Sequence, residues 1–135
     1  MLRASFSAIP THLEDIRNFV ERVAQQLHVP EMEIGDIVQA VDEAATNIML
    51  HGYAGREGIV EVEVERQDDS LVLRLRDWAP QYDPTTVQLP NLNLGLEQRR
   101  PGGLGIYLIR LLMDRIEYRN TPEGCNELTL VKQLS

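Results

Sequence analysis

Apolar residues recur at helical spacing through the first third of the chain. Leu13, Ile16, Val20, Val23, Ala24 and Leu27 form one stripe that closes before Pro30, which predicts an amphipathic helix. Thr11 followed three residues later by Glu14 matches a capping box, so the helix is expected to open there, with hydroxyl and carboxylate satisfying its first amides. A second set, Ile34, Ile37, Val38, Val41, Ala44, Ala45 and Ile48, falls within a wedge of roughly 120° and predicts a second helix stopping at His51-Gly52. From Ile59 the period drops to two. Val60, Val62 and Val64 alternate with Glu61, Glu63 and Glu65, and beyond Asp68-Asp69 Leu71, Leu73 and Leu75 alternate with Val72, Arg74 and Arg76. Folding the chain over that turn sets Val64 opposite Leu73 and Val62 opposite Leu75. It also sets Glu63 opposite Arg74 and Glu61 opposite Arg76, so the apolar and charge patterns agree on a hairpin with one dry and one wet face. A short, mildly apolar strand precedes the first helix. Residues 106–113 are apolar on nearly every side and predict a buried helix; 116–120 and 126–134 predict a closing hairpin around Thr121-Pro122-Glu123-Gly124. Between the first hairpin and the buried helix, 84–101 carries three prolines and no period, a longer connection than compact domains usually tolerate without a function for it.

A sheet dry on one face implies two layers, and the expected architecture is an α/β (α+β) sandwich. At 135 residues the chain is expected to be a single domain spanning 1–135, and 43% hydrophobic with 25% charged residues is ordinary for a packed core. The balance of 21 acidic against 13 basic residues gives a formal charge of −8, which disfavours direct nucleic-acid binding and anionic membranes. Cys125 is the sole cysteine and has no disulfide partner, and neither a secretory signal nor a membrane span is legible, so a cytoplasmic location is expected.

Glu43 and Asn47 are one turn apart on the second helix, opposite its apolar wedge. They read either as a solvated face or as a pair in which the amide oxygen ligates a hard cation while the carboxylate takes a proton from a nucleophile. Asp77, at the end of a strand, either caps the next turn or accepts a hydrogen bond from an exocyclic amine such as that of adenine. Gly102, Gly103 and Gly105 crowd a helix start where one glycine would serve for capping, which suggests a close approach to that backbone, and free amides at a helix start attract phosphate. Arg99 and Arg100 either add charge there or are solvated loop residues. The histidines His12, His28 and His51 lack partners at metal spacing.

In order, Glu43-Ala44-Ala45-Thr46-Asn47 with His51-Gly52-Tyr53, then Arg76-Asp77 with Tyr82-Asp83-Pro84, then Gly102-Gly103-Leu104-Gly105-Ile106 resemble the N, G1 and G2 boxes of the GHKL ATP-binding fold. More narrowly, the chain resembles the bacterial anti-sigma-factor serine/threonine kinases of partner-switching systems over nearly its whole length. That resemblance implies a mostly antiparallel mixed sheet with helices on one face and an ATP lid over 84–101. It implies Asn47 on Mg²⁺, Glu43 as catalytic base and Asp77 on adenine, with Gly102, Gly103, Leu104, Gly105 and Ile106 around the phosphates. It further implies ATP and Mg²⁺ as cofactors, and a homodimer that binds a sigma factor in one state and phosphorylates a STAS-type antagonist in another. Ala79 stands where the family usually has glycine; alanine is easily accommodated there at negative φ and strained in the left-handed region. An alternative consistent with that departure is a catalytically weak module that regulates a partner by binding alone.

Overall fold

The computed structural model describes residues 1–80 and 103–135, so the expected lid, Arg99, Arg100 and Gly102 lie outside the described residues. Five strands form one sheet in the order β1-β2-β3-β5-β4: β1 (Leu2–Ser7), β2 (Ile59–Gln67), β3 (Ser70–Asp77), β4 (Arg115–Asn120) and β5 (Asn126–Gln133). Every adjacent pair among them is antiparallel, without the parallel pair of a mixed sheet. The β2–β3 register is the one the two patterns predict, with Val64 opposite Leu73, Val62 opposite Leu75, Glu63 opposite Arg74 and Glu61 opposite Arg76.

Helices α1 (Leu13–Gln26), α2 (Glu31–Asn47) and α3 (Gly103–Leu112) belong to the layer that covers one face. Ile16, Val20 and Val23 of α1, Ile37 and Val41 of α2 and Ile109 of α3 are buried in one cluster with Val62 and Val64 of β2, Leu73 and Leu75 of β3 and Leu130 of β5. Each such side chain contributes about 1.5–3 kcal/mol when fully buried. Phe6 of β1 meets Phe19 of α1 edge to face, with ring centroids 6.0 Å apart.

Both ends of the helical hairpin depart from expectation. The capping box does not form: Pro10–His12 makes a 3-10 turn that runs directly into α1, and no side chain caps either start. Proline's fixed φ begins the helical path one residue before Thr11, so Thr11 is not at the extended boundary position from which a hydroxyl caps. Nor does the second helix remain α-helical to Gly52. It ends at Asn47 and continues as a π turn, Ile48–Gly52, in which the Tyr53 N–H donates to the Ile48 carbonyl at 2.8 Å. Tyr53 then ties this turn to the sheet. Its hydroxyl donates to the Ile59 carbonyl at 2.7 Å and accepts from the N–H groups of Ile59 at 3.2 Å and Trp78 at 2.9 Å. Gly58 lets the ring pass, because a Cβ there would overlap it.

The outer sheet face is charged, as expected, but less wet than the alternation suggests. Glu63 is only 2% exposed and Glu127 is also buried. Arg76 donates to Glu61, Glu63 and Glu127 at 2.7–3.1 Å, Arg74 to Glu63 and Glu65, and the network reaches Arg3 on β1 and Arg119 on β4. Lateral packing of long side chains on adjacent strands, absent from a single hairpin, covers the carboxylates. Burial pushes the Glu63 carboxyl up, but hydrogen bonds and charge from Arg76 and Arg74 outweigh it and hold the group below its ordinary 4.5. Glu127 is lowered by the same balance, against Arg119 and Arg76.

A depressed carboxylate pKa contributes stability that is present above the unfolded value and lost as pH falls through the folded one. Arg76→Met is therefore expected to cost about 2–3 kcal/mol at pH 7. The difference from the parent should shrink as pH drops below about 4.5 and the carboxylates protonate. Urea unfolding of both proteins at pH 7 and pH 3.5 measures this; an equal gap at both pH values would show that the arginine acts through packing alone.

Candidate nucleotide site

The two-residue period that turns Leu71, Leu73 and Leu75 toward the helices also turns Asp77 inward, as the last residue of β3. It is 6% exposed and pairs across the sheet with Asn126, the first residue of β5. Its Oδ1 accepts the Ala79 N–H at 3.0 Å and the Asn126 Nδ2 at 2.9 Å. Asp77 therefore does cap the turn that follows it. Both bonds land on Oδ1, and Oδ2 has no partner among the described residues. Burial pushes the Asp77 carboxyl above its ordinary value, only partly offset by the hydrogen bonds from Asn126 and the Ala79 N–H.

Asn47, the last residue of α2, is 6% exposed. The solvated-face reading therefore does not hold for it. Its Nδ2 is buried without a hydrogen-bond partner. Leaving such a group unpaired costs about 1–3 kcal/mol, which makes it a marker of a site that a polar ligand completes. Asn47 and Asp77 line one cavity, with Ala44, Ile48, Ile106 and Leu128 as apolar walls and Gly52, Tyr118 and Asn126 completing it. A lining that combines apolar side chains with a carboxylate and an orphaned amide has the chemistry of a site for a base with an attached polar chain.

Glu43 lies one turn before Asn47, half-buried and off the cavity wall. Burial, and then the charge of Asp42, push its carboxyl up. Of the glycine-rich segment, Gly103, Leu104 and Gly105 form the first turn of α3, and Ile106 reaches the cavity. Ala79 is buried and is not among the residues with positive φ, so the strained alternative does not arise. Trp78 is 51% exposed and lines the outer face beside Arg3 and Arg76, away from the cavity.

Asn126 and Tyr118 are the site residues that sequence reasoning missed. Asn126 sits in no motif, and only the β3–β5 register, between strands far apart in the chain, brings it to Asp77.

The sequence profile of the histidine kinase-like ATPase domain matches residues 6–132. An anti-sigma F factor of Thermoanaerobacter sp. (strain X514) is 28% identical over 123 residues, covering 90% of this chain and 85% of the relative. The serine-protein kinase RsbW of Bacillus pumilus is 31% identical over 127 residues, covering 87% and 76%. Among solved structures, the RsbU and RsbW domains of Rv1364c from Mycobacterium tuberculosis superpose with a TM-score of 0.64 at 16% identity, over 99% of this chain and 33% of that one. The SiaB–SiaC complex of Pseudomonas aeruginosa gives the same TM-score at 14% identity, over 97% and 88%. At such identities these two speak for the fold. With an inward carboxylate, an orphaned asparagine and an apolar cavity in the same sandwich, the chain belongs to the histidine kinase-like ATPase family, in its branch of anti-sigma-factor serine/threonine kinases.

Proposed function

We propose that this protein is an anti-sigma-factor serine/threonine kinase that uses Mg-ATP to phosphorylate a STAS-type antagonist, and that it sequesters a sigma factor as a homodimer. The observation that carries the reading is the shared cavity: an Asp77 carboxylate with one oxygen committed and one spare, and the unpaired Asn47 amide, between apolar walls. Asp77 Oδ2 accepts the exocyclic amine of adenine, and Ala44, Ile48, Ile106 and Leu128 contact the ring. Asn47 ligates Mg²⁺ through its amide oxygen, and the ion when bound neutralises phosphate charge. The backbone amides of Gly103 to Ile106, at the start of α3, face the phosphates, since free amides there favour anions.

In the transfer, the serine or threonine oxygen of the antagonist bonds to the γ-phosphorus while the bond to the β–γ bridging oxygen breaks and ADP leaves. Glu43 takes the hydroxyl proton. Its raised pKa suits a base, since a carboxylate nearer neutrality gains more from accepting that proton. The relatives named as anti-sigma factors and serine-protein kinases support both halves of the assignment. The binding-only alternative drew its support from Ala79, and at negative φ the alanine brings no strain to the turn.

Glu43→Gln should lower phosphoryl transfer to a STAS-domain antagonist by about 10²–10⁴-fold while sigma-factor binding persists. A transfer assay with labelled ATP and a pull-down on the same preparations read the two effects, and wild-type transfer by the variant would remove Glu43 from the base role. In calorimetry, Asn47→Ala should abolish the dependence of ATP affinity on Mg²⁺.

A further inference from the structure

Asn126 is buried, and its hydrogen bonds are used without remainder. Nδ2 donates to Asp77 Oδ1 at 2.9 Å and to the Ala79 carbonyl at 3.1 Å, while Oδ1 accepts the Tyr118 hydroxyl at 2.7 Å. The orientation of the amide is not arbitrary. A carbonyl can only accept, so the side facing Ala79 must be the NH₂ group, and Oδ1 then faces Tyr118, which must donate. Asn126 thus staples both ends of the Asp77-Trp78-Ala79 turn and fixes the rotation of the Asp77 carboxyl.

The arrangement has a chemical consequence. With Oδ1 saturated by the Asn126 amide and the Ala79 N–H, what Asp77 offers the cavity is a bare acceptor, Oδ2. A purine with a 6-amino group brings a donor to it. One with a 6-oxo group brings a second acceptor and leaves two lone-pair surfaces facing each other in a water-poor site. We propose that Asn126, held in place by Tyr118 and the Ala79 carbonyl, is a positioning residue that fixes Asp77 as an acceptor and sets the discrimination between 6-amino and 6-oxo purine nucleotides. The proposal rests on the nucleotide reading of the cavity. Without the Asn126 donor the carboxyl is free to rotate, and a buried carboxyl short of donors holds a proton more easily, turning Oδ2 into a hydroxyl that donates to a 6-oxo oxygen.

The test is calorimetric titration with ATP and with inosine triphosphate, which differs from ATP only in carrying a 6-oxo group and a ring N–H. The parent is expected to prefer ATP by at least about 100-fold. Asn126→Leu should weaken ATP binding by about 10–100-fold and inosine triphosphate binding much less, so that the preference collapses to a few-fold. Tyr118→Phe, which removes a single oxygen and leaves the strand intact, should lower the preference by about tenfold and decides the matter should the leucine variant fail to fold. Variants that lose affinity for both nucleotides equally, with the preference intact, would overturn the proposal and leave Asn126 a structural residue. A parent that binds neither nucleotide would overturn the nucleotide reading along with it.

Discussion

The side-chain alternation of β3 is the constraint on which the rest of the molecule depends. This strand lies between β2 and β5, and its parity assigns each residue to one of two very different environments. Leu71, Leu73 and Leu75 go to the helices, Arg74 and Arg76 to the open face, and Asp77 follows the leucines inward at the point where the chain leaves the sheet. A slip of one residue would exchange all of these at once. Such a slip is opposed on both sides of the strand, by apolar partners on one face of β2 and by carboxylates on the other.

The two faces of the sheet treat buried charge differently. On the outer face, Glu63 and Glu127 are covered but heavily paired with arginines, so their ionised forms are favoured. On the inner face Asp77 has no cation among its partners in the described residues, only an amide and a backbone N–H on the same oxygen, and burial raises its pKa. The first arrangement is complete in itself. The second leaves the buried amide nitrogen of Asn47 unsatisfied and one oxygen of Asp77 without a partner among the described residues, which is how a folded protein stores affinity for a polar ligand.

The cavity is assembled where local geometry changes. α2 gives way to a π turn immediately after Asn47, and β3 ends at Asp77 in a turn stapled by Asn126. Tyr53 joins the two changes, since its hydroxyl bonds both the start of β2 and the residue after Asp77. Gly52 and Ala79 lie close to each other there, since a methyl group added at Gly52 would come within 3.4 Å of the Ala79 Cβ.

Patterning alone determined the two-layer sandwich, the helices, the β2–β3 register and the closing hairpin, because each depends on periodicity and turn chemistry between neighbours in the chain. Motif spacing likewise made Glu43, Asn47 and Asp77 legible as candidates, and the inward parity of Asp77 could be read from its own strand. Tertiary structure decided the rest. The strand order β1-β2-β3-β5-β4, the burial of Asn47, the failure of the Thr11–Glu14 cap and the pairing of Asn126 with Asp77 depend on contacts between distant segments or on the path of the chain beyond a local pattern. A hydrophobic period states which face of an element is covered. It does not state by what, and at this site the identity of the covering groups decides which oxygen of Asp77 is left for a ligand.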